Sequence, residues 1–171
     1  MRAVPLSPFD TLEACFRLLT CEPAALALNG RQVGHGAPAR RIPLGELRNL
    51  LQHPAATDDL QRAALQELVR LATQDRGSWM IGLAGVLLPG LREIAGSAPP
   101  IDARVASSVE ADVLERFRKA IHQPALDVVE FAMTVMGFVR SHRRSPRTPR
   151  SAGPGTSDTA LREAVLAVEK W

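Results

Sequence analysis

The sequence predicts an all-α protein: a helical bundle with a small N-terminal helix/hairpin appendage and a tethered C-terminal helix. Three observations point there. Hydrophobic residues make up 46% of the chain but aromatics only 4%, with no tyrosine, so the core must be built from Leu, Val, Ile and Ala. Leu and Ala favour helices, whereas strands recruit Tyr, Phe, Thr and Ile. Apolar residues recur at three- and four-residue spacing between about 57 and 144, and capping residues and prolines punctuate the runs. The 171 residues suffice for one domain with a real core plus attached segments.

Residues 1–56 read as the appendage. Ser7-Pro8 pairs an N-cap with a proline at the first helical position, and Phe9, Leu12, Phe16 and Leu19 follow at helical spacing, which predicts a helix over 8–20. In "LALNGRQVG", Asn29-Gly30 lies between short apolar stretches, which predicts a hairpin or at least a tight turn there. "GHGAPARRIP" reads as loop. Pro43 then starts a short helix carrying Leu44, Leu47, Leu50 and Leu51, and Pro54 ends it.

The bundle is predicted over 57–144. Thr57 caps a helix to about Thr73 with Leu60, Ala64, Leu68 and Leu71 on one stripe. "SWMIGLAGVLLPGLREIAG", residues 78–96, is the most apolar stretch. Its uncharged run between Arg76 and Arg92 is shorter than the roughly twenty residues that cross a bilayer. Glycines interrupt it, so a buried helix, or two helical pieces meeting at Pro89, is expected instead. Asp102, or the box Ser107-x-x-Glu110, opens the next helix, whose stripe is Val105, Val109, Val113, Phe117 and Ile121. Pro124 begins a fourth long helix, apolar on nearly every side until Arg140. "SPRTPRSAGPGTS" predicts a flexible linker over 145–157, and Asp158 caps a last helix over 158–171.

Charge is unevenly spread. Arg140, Arg143, Arg144, Arg147 and Arg150 lie in one run without an acid, and setting those five aside takes the formal net charge from +3 to −2. The basicity, with a sequence pI near 9.5, is therefore assigned to one arm. Such an arm serves either as a solvated tail or as a phosphate-contacting surface.

Catalytic chemistry has little to stand on. The histidines (His35, His53, His122, His142) form no i,i+4 pair, Cys15 and Cys21 match no metal or redox spacing, and no phosphate-cradling glycine loop is present. No enzyme activity, metal, cofactor, small-molecule substrate or membrane is expected. No secretory pattern opens the chain, so a cytoplasmic location is expected.

Residues 65–121 resemble region two of bacterial RNA polymerase sigma factors. The resemblance rests on Leu68, Val69, Arg70 and Ala72, then Asp75 and Trp79, then Pro89, Leu91, Arg92, Ile94 and Ala95, and finally Glu110, Val113, Glu115, Phe117, Ala120 and Ile121. It covers about a third of the chain and is similar in character to small sigma-like proteins of actinobacteria. It implies a sigma-region-two-like bundle that docks on polymerase and captures promoter DNA. Ala111 and Leu114 replace the family's second acid and its glutamine, and the helix that would stack bases has Phe131 and Phe138 but no Tyr or Trp. The expected role is non-enzymatic binding of RNA polymerase or nucleic acid in transcription-related or mobile-element biology, with the five arginines on phosphate. The alternative is a helical adaptor that docks a protein partner through the apolar helix 124–139, at Phe131, Met136 and Phe138, without nucleic acid.

Overall fold

Ser7 sits in extended backbone, and its hydroxyl accepts the N–H of Asp10 at 3.2 Å. Pro8 takes the first helical position, where no N–H is needed, and α1 runs Pro8–Thr20. The computed structural model describes residues 6–21, 25–75, 77–96, 103–122 and 127–144, with the side chains of the last helix described as far as Gly137. After α1 come β1 (Ala27–Asn29), α2 (Gly30–Val33), β2 (Arg41–Pro43), α3 (Leu44–Gln52), α4 (Asp58–Gln74), α5 (Ser78–Gly96), α6 (Ala103–Ile121) and α7 (Val128–Arg144). The protein is mostly helical, with one two-stranded sheet among the described residues.

The hairpin exists, but Asn29-Gly30 is not its turn. β1 and β2 pair antiparallel with Leu28 opposite Ile42 and Asn29 opposite Arg41, so the connection spans residues 30–40 and the second strand lies in the stretch expected as loop. Asn29 instead caps the one-turn α2, its Oδ1 accepting the N–H of Arg31 at 3.1 Å. Gly30 is needed for space: a Cβ there would lie 1.8 Å from the carbonyl oxygen of Pro38. Crowding by the returning chain, not turn geometry, selects this glycine.

α4 begins as expected, with the Thr57 hydroxyl accepting Leu60 N–H at 3.2 Å and Asp58 and Asp59 in the first turn, where the helix dipole favours acids. α5 is one continuous helix with Pro89 inside it, and every residue from Gly82 to Leu88 is buried. By length and composition it is the one helix among the described residues that could cross a bilayer. Its neighbours α1, α3, α4, α6 and α7 supply the apolar surroundings within the fold.

The glycines of α5 let those neighbours in. An added Cβ at Gly82 would meet Leu44 of α3 at 2.6 Å, at Gly85 the Phe16 ring of α1 at 2.0 Å, and at Gly90 the Val135 carbonyl of α7 at 2.2 Å. Three small positions therefore admit three different helices to one central helix. Pro89 adds a second requirement. It lacks an N–H, so the carbonyl four residues earlier, that of Gly85, has no intrahelical donor. Arg48 of α3 reaches that carbonyl with Nη1 at 3.4 Å, while the same guanidinium lies 4.6 Å above the Phe16 ring and pairs with both carboxylate oxygens of Glu13 at 2.9 and 3.2 Å. One side chain thus stitches α1, α3 and α5 together where the proline opens the helix.

Two expectations are corrected by the packing. Residues 6–56 are not appended to the bundle: Phe9, Phe16, Leu28, Ile42, Leu44, Leu47 and Leu51 belong to the same buried cluster as α4, α5 and α7. Of the α6 residues expected in the core, Phe117 and Ile121 are buried but Val109 and Val113 only half-buried, and Val105, first of the stripe, is 41% exposed. Spacing by four residues advances about 40° per step around a helix of 3.6 residues per turn, so five such positions sweep about 160° and cannot all face one neighbour. α6 also starts at Ala103, which leaves Ser107 inside the helix rather than capping it. Glu110 works elsewhere, accepting the N–H of Phe9 at 3.1 Å on the first turn of α1. The Asp102 cap, the Pro124 start, the linker 145–157 and the helix 158–171 fall outside the described residues.

Candidate nucleic-acid interface

The candidate interface is the end of α7, which the first half of the helix holds in place. Asp127 accepts the N–H groups of Val129 and Glu130, each at 3.1 Å, and so closes the first turn. Ala132, Val135 and Met136 are buried, and Gly90 brings the α5 backbone against Val135. Glu130, Thr134 and Gly137 form the exposed side, with Glu130 paired to Arg62 of α4. The helix is therefore amphipathic over this half rather than apolar on nearly every side.

Beyond Gly137 the helix continues through Arg144, so Arg140, Arg143 and Arg144 are helical residues. Their i, i+3, i+4 spacing puts the three positions on one side of the closing turns. Cations there complement the negative end of the helix dipole. No Asp or Glu occurs between residues 131 and 157, so neighbours in the chain supply no counter-charge. Arg147 and Arg150 lie outside the described residues.

The body handles its cations differently. Arg17, Arg40, Arg48, Arg62, Arg70, Arg92 and Arg118 each pair with a carboxylate. The partners respond in kind. Hydrogen bonding from Arg48 holds the Glu13 carboxyl below its usual range, Arg70 does the same to Glu67, and Arg92 to Asp10. Arg118, helped by Lys119, pulls Glu115 down to about 2. Most of these pairs are exposed and add little to stability, but they neutralise the surface they occupy.

Of the residues expected to dock a protein partner, Met136 is only 2% exposed and belongs to the core. Phe131 is half-buried, its ring centroid 6.2 Å from that of Phe117. The side chain of Phe138 is outside the described set. Helix α7 thus gives its apolar side to the fold at Ala132, Val135 and Met136. Among the described residues no three His, Cys, Asp or Glu side chains converge as metal ligands. Cys15 is half-buried and Cys21 exposed, both as free thiols.

Assigning all the basicity to one arm overlooks a second run. Residues 23–45 contain Arg31, His35, Arg40 and Arg41 without a single acid. No family model, curated protein or solved structure matches this chain.

Proposed function

We propose that this chain is a non-enzymatic helical protein that binds nucleic acid through the arginine arm at the end of α7, in the transcription-related setting its sigma-like residues imply. The observation that carries the reading is the division of α7. Its first half is anchored at Ala132, Val135 and Met136, and the same continuous helix then presents three arginine positions in an acid-free stretch. A rigid, anchored helix end offers cations to phosphate at a smaller ordering cost than a free tail. The sigma-like reading places RNA polymerase or promoter DNA as the partner. The adaptor reading is weaker because Met136 is enclosed.

The test is fluorescence anisotropy of a labelled oligonucleotide with the full chain and with a variant carrying Ala at all five arginine positions, alongside pull-downs with and without nuclease. Binding that weakens sharply in the variant, and partners that leave on nuclease treatment, support the proposal. Equal binding by both proteins sinks the arm as the nucleic-acid contact; no binding by either, with a protein partner other than RNA polymerase retained after nuclease, sinks the proposal in favour of the adaptor.

A further inference from the structure

The connection between β1 and β2 carries its arginines at a base that hydrogen bonds hold in one shape. Its base is closed by Gly30 N–H to Arg40 C=O at 2.9 Å and by Arg31 Nε to Ala39 C=O at 3.3 Å, with Val33 buried beneath. Gly34 N–H returns to Gly30 C=O at 2.9 Å, and Ala37 N–H to Gly34 C=O at 2.8 Å. Three successive residues, Gly34, His35 and Gly36, have positive φ of 64°, 50° and 83°. Two are glycines, for which this is ordinary, but His35 holds a conformation that L residues adopt at some cost.

The exposed residues here are Asn29, Arg31, Gln32, His35, Gly36, Ala39, Arg40 and Arg41. Arg40 is paired with Glu46. Arg31 and Arg41 have no carboxylate partner among the described residues, in contrast to the paired arginines elsewhere on the body. Arg116, also without one among the described residues, lies on α6 one turn after Asp112 and next to Glu115, and Arg104 at the start of that helix follows Asp102 by two residues in the chain. Among the residues whose side chains are described, only this connection combines an acid-free sequence, guanidinia without a carboxylate partner and a fixed backbone.

We infer that this loop is a second phosphate-contacting surface, on which Arg31 and Arg41 grip the backbone of the nucleic acid that the α7 arm binds. The inference rests on the nucleic-acid reading above. Guanidinium matches phosphate oxygens in a two-pronged geometry, and a preformed loop loses little freedom on binding. Nucleic acid fits better than an anionic membrane surface, because the exposed tip carries no large apolar residue to bury among acyl chains.

The experiment titrates a labelled duplex with four forms of the full chain: unaltered, Arg31→Ala/Arg41→Ala, the five-alanine arm variant, and the two combined. Arg41→Ala alone is added because the Arg31 Nε contact is part of the loop's closure. Arg41→Ala should flatten the dependence of log affinity on log salt by about 0.9, the share of one phosphate contact on duplex DNA. The arm variant should keep weak low-salt binding that the combined variant loses. If the loop variants match the unaltered chain in affinity and slope while the arm variant loses all binding, the loop inference is wrong and the arm proposal stands. If no form binds at low salt, both fail. Loop-dependent binding to phosphatidylserine vesicles, without duplex binding, would overturn the assignment to nucleic acid.

Discussion

Gly90 and Gly137 are both helical glycines, and the fold treats them in opposite ways. A Cβ at Gly90 would sit 2.2 Å from a backbone oxygen that cannot swing aside, whereas one at Gly137 would meet nothing within 4 Å. Gly90→Ala should therefore destabilise the protein by at least about 1–3 kcal/mol, the usual cost of overpacking. Gly137→Ala should stabilise it by up to about 1 kcal/mol through helix propensity. Chemical denaturation of the two variants decides; a neutral Gly90→Ala would mean that α5 and α7 do not cross there. Arg48 makes a second test at this scale. Arg48→Met removes the donor to the Gly85 carbonyl and the chief partner of Glu13. The sign of the pH effect follows from Glu13, whose carboxyl is depressed in the folded state relative to an ordinary value of 4.5. Its stabilising share is present above that value and is lost as pH falls through the lower folded one. Stability measured between pH 6 and 3 should fall less steeply in Arg48→Met than in the unaltered chain. An identical acid limb would remove Glu13 from the account. The caps Ser7 and Thr57 are legible in sequence because both act within three residues. The partner of each α5 glycine is not, because it lies on a different helix, brought there by tertiary packing.

Helices α1, α3 and α4 end within a few residues of where periodicity puts them, each having one apolar face, and α5 matches its continuous apolar run, buried on all sides from Gly82 to Leu88. α6 shows the limit of that method. Its period of four is regular in the chain but rotates on the helix, so only Phe117 and Ile121 reach the buried core. Phe117→Ala should cost about 3–5 kcal/mol, because the ring is enclosed and lies tilted against that of Phe131. Val105→Ala, at an exposed position, should fall within about 0.5 kcal/mol of neutral. Similar losses at both positions in urea denaturation would restore the uniform stripe. The hairpin was half legible for a related reason. Asn29-Gly30 carries a local turn signal, but Gly30 is fixed by Pro38, eight residues on, and the local signal loses to that contact.

For the whole molecule, the segment 6–56 completes the core around α5 through Phe16, Leu44 and their neighbours, a docking that composition alone does not announce. Detaching it would expose the buried run Gly82 to Leu88, so a chain beginning after residue 56 should fail to give a cooperative unfolding transition. Charge is the more legible property: the acid-free stretches 131–157 and 23–45 stand in the sequence, and most other arginines among the described residues are paired with carboxylates. Affinity for nucleic acid should then come from counterion release at a few arginines, with little base preference, since α7 has no Tyr or Trp to stack on. The most direct measurement is the equilibrium affinity for one duplex across a salt series, with the unaltered chain and with the five-alanine arm variant. The log–log dependence should be linear, with a slope that shrinks by about 0.9 for each arm arginine that contacts phosphate. Equal slopes in the two proteins, or no binding at the lowest salt, would contradict it.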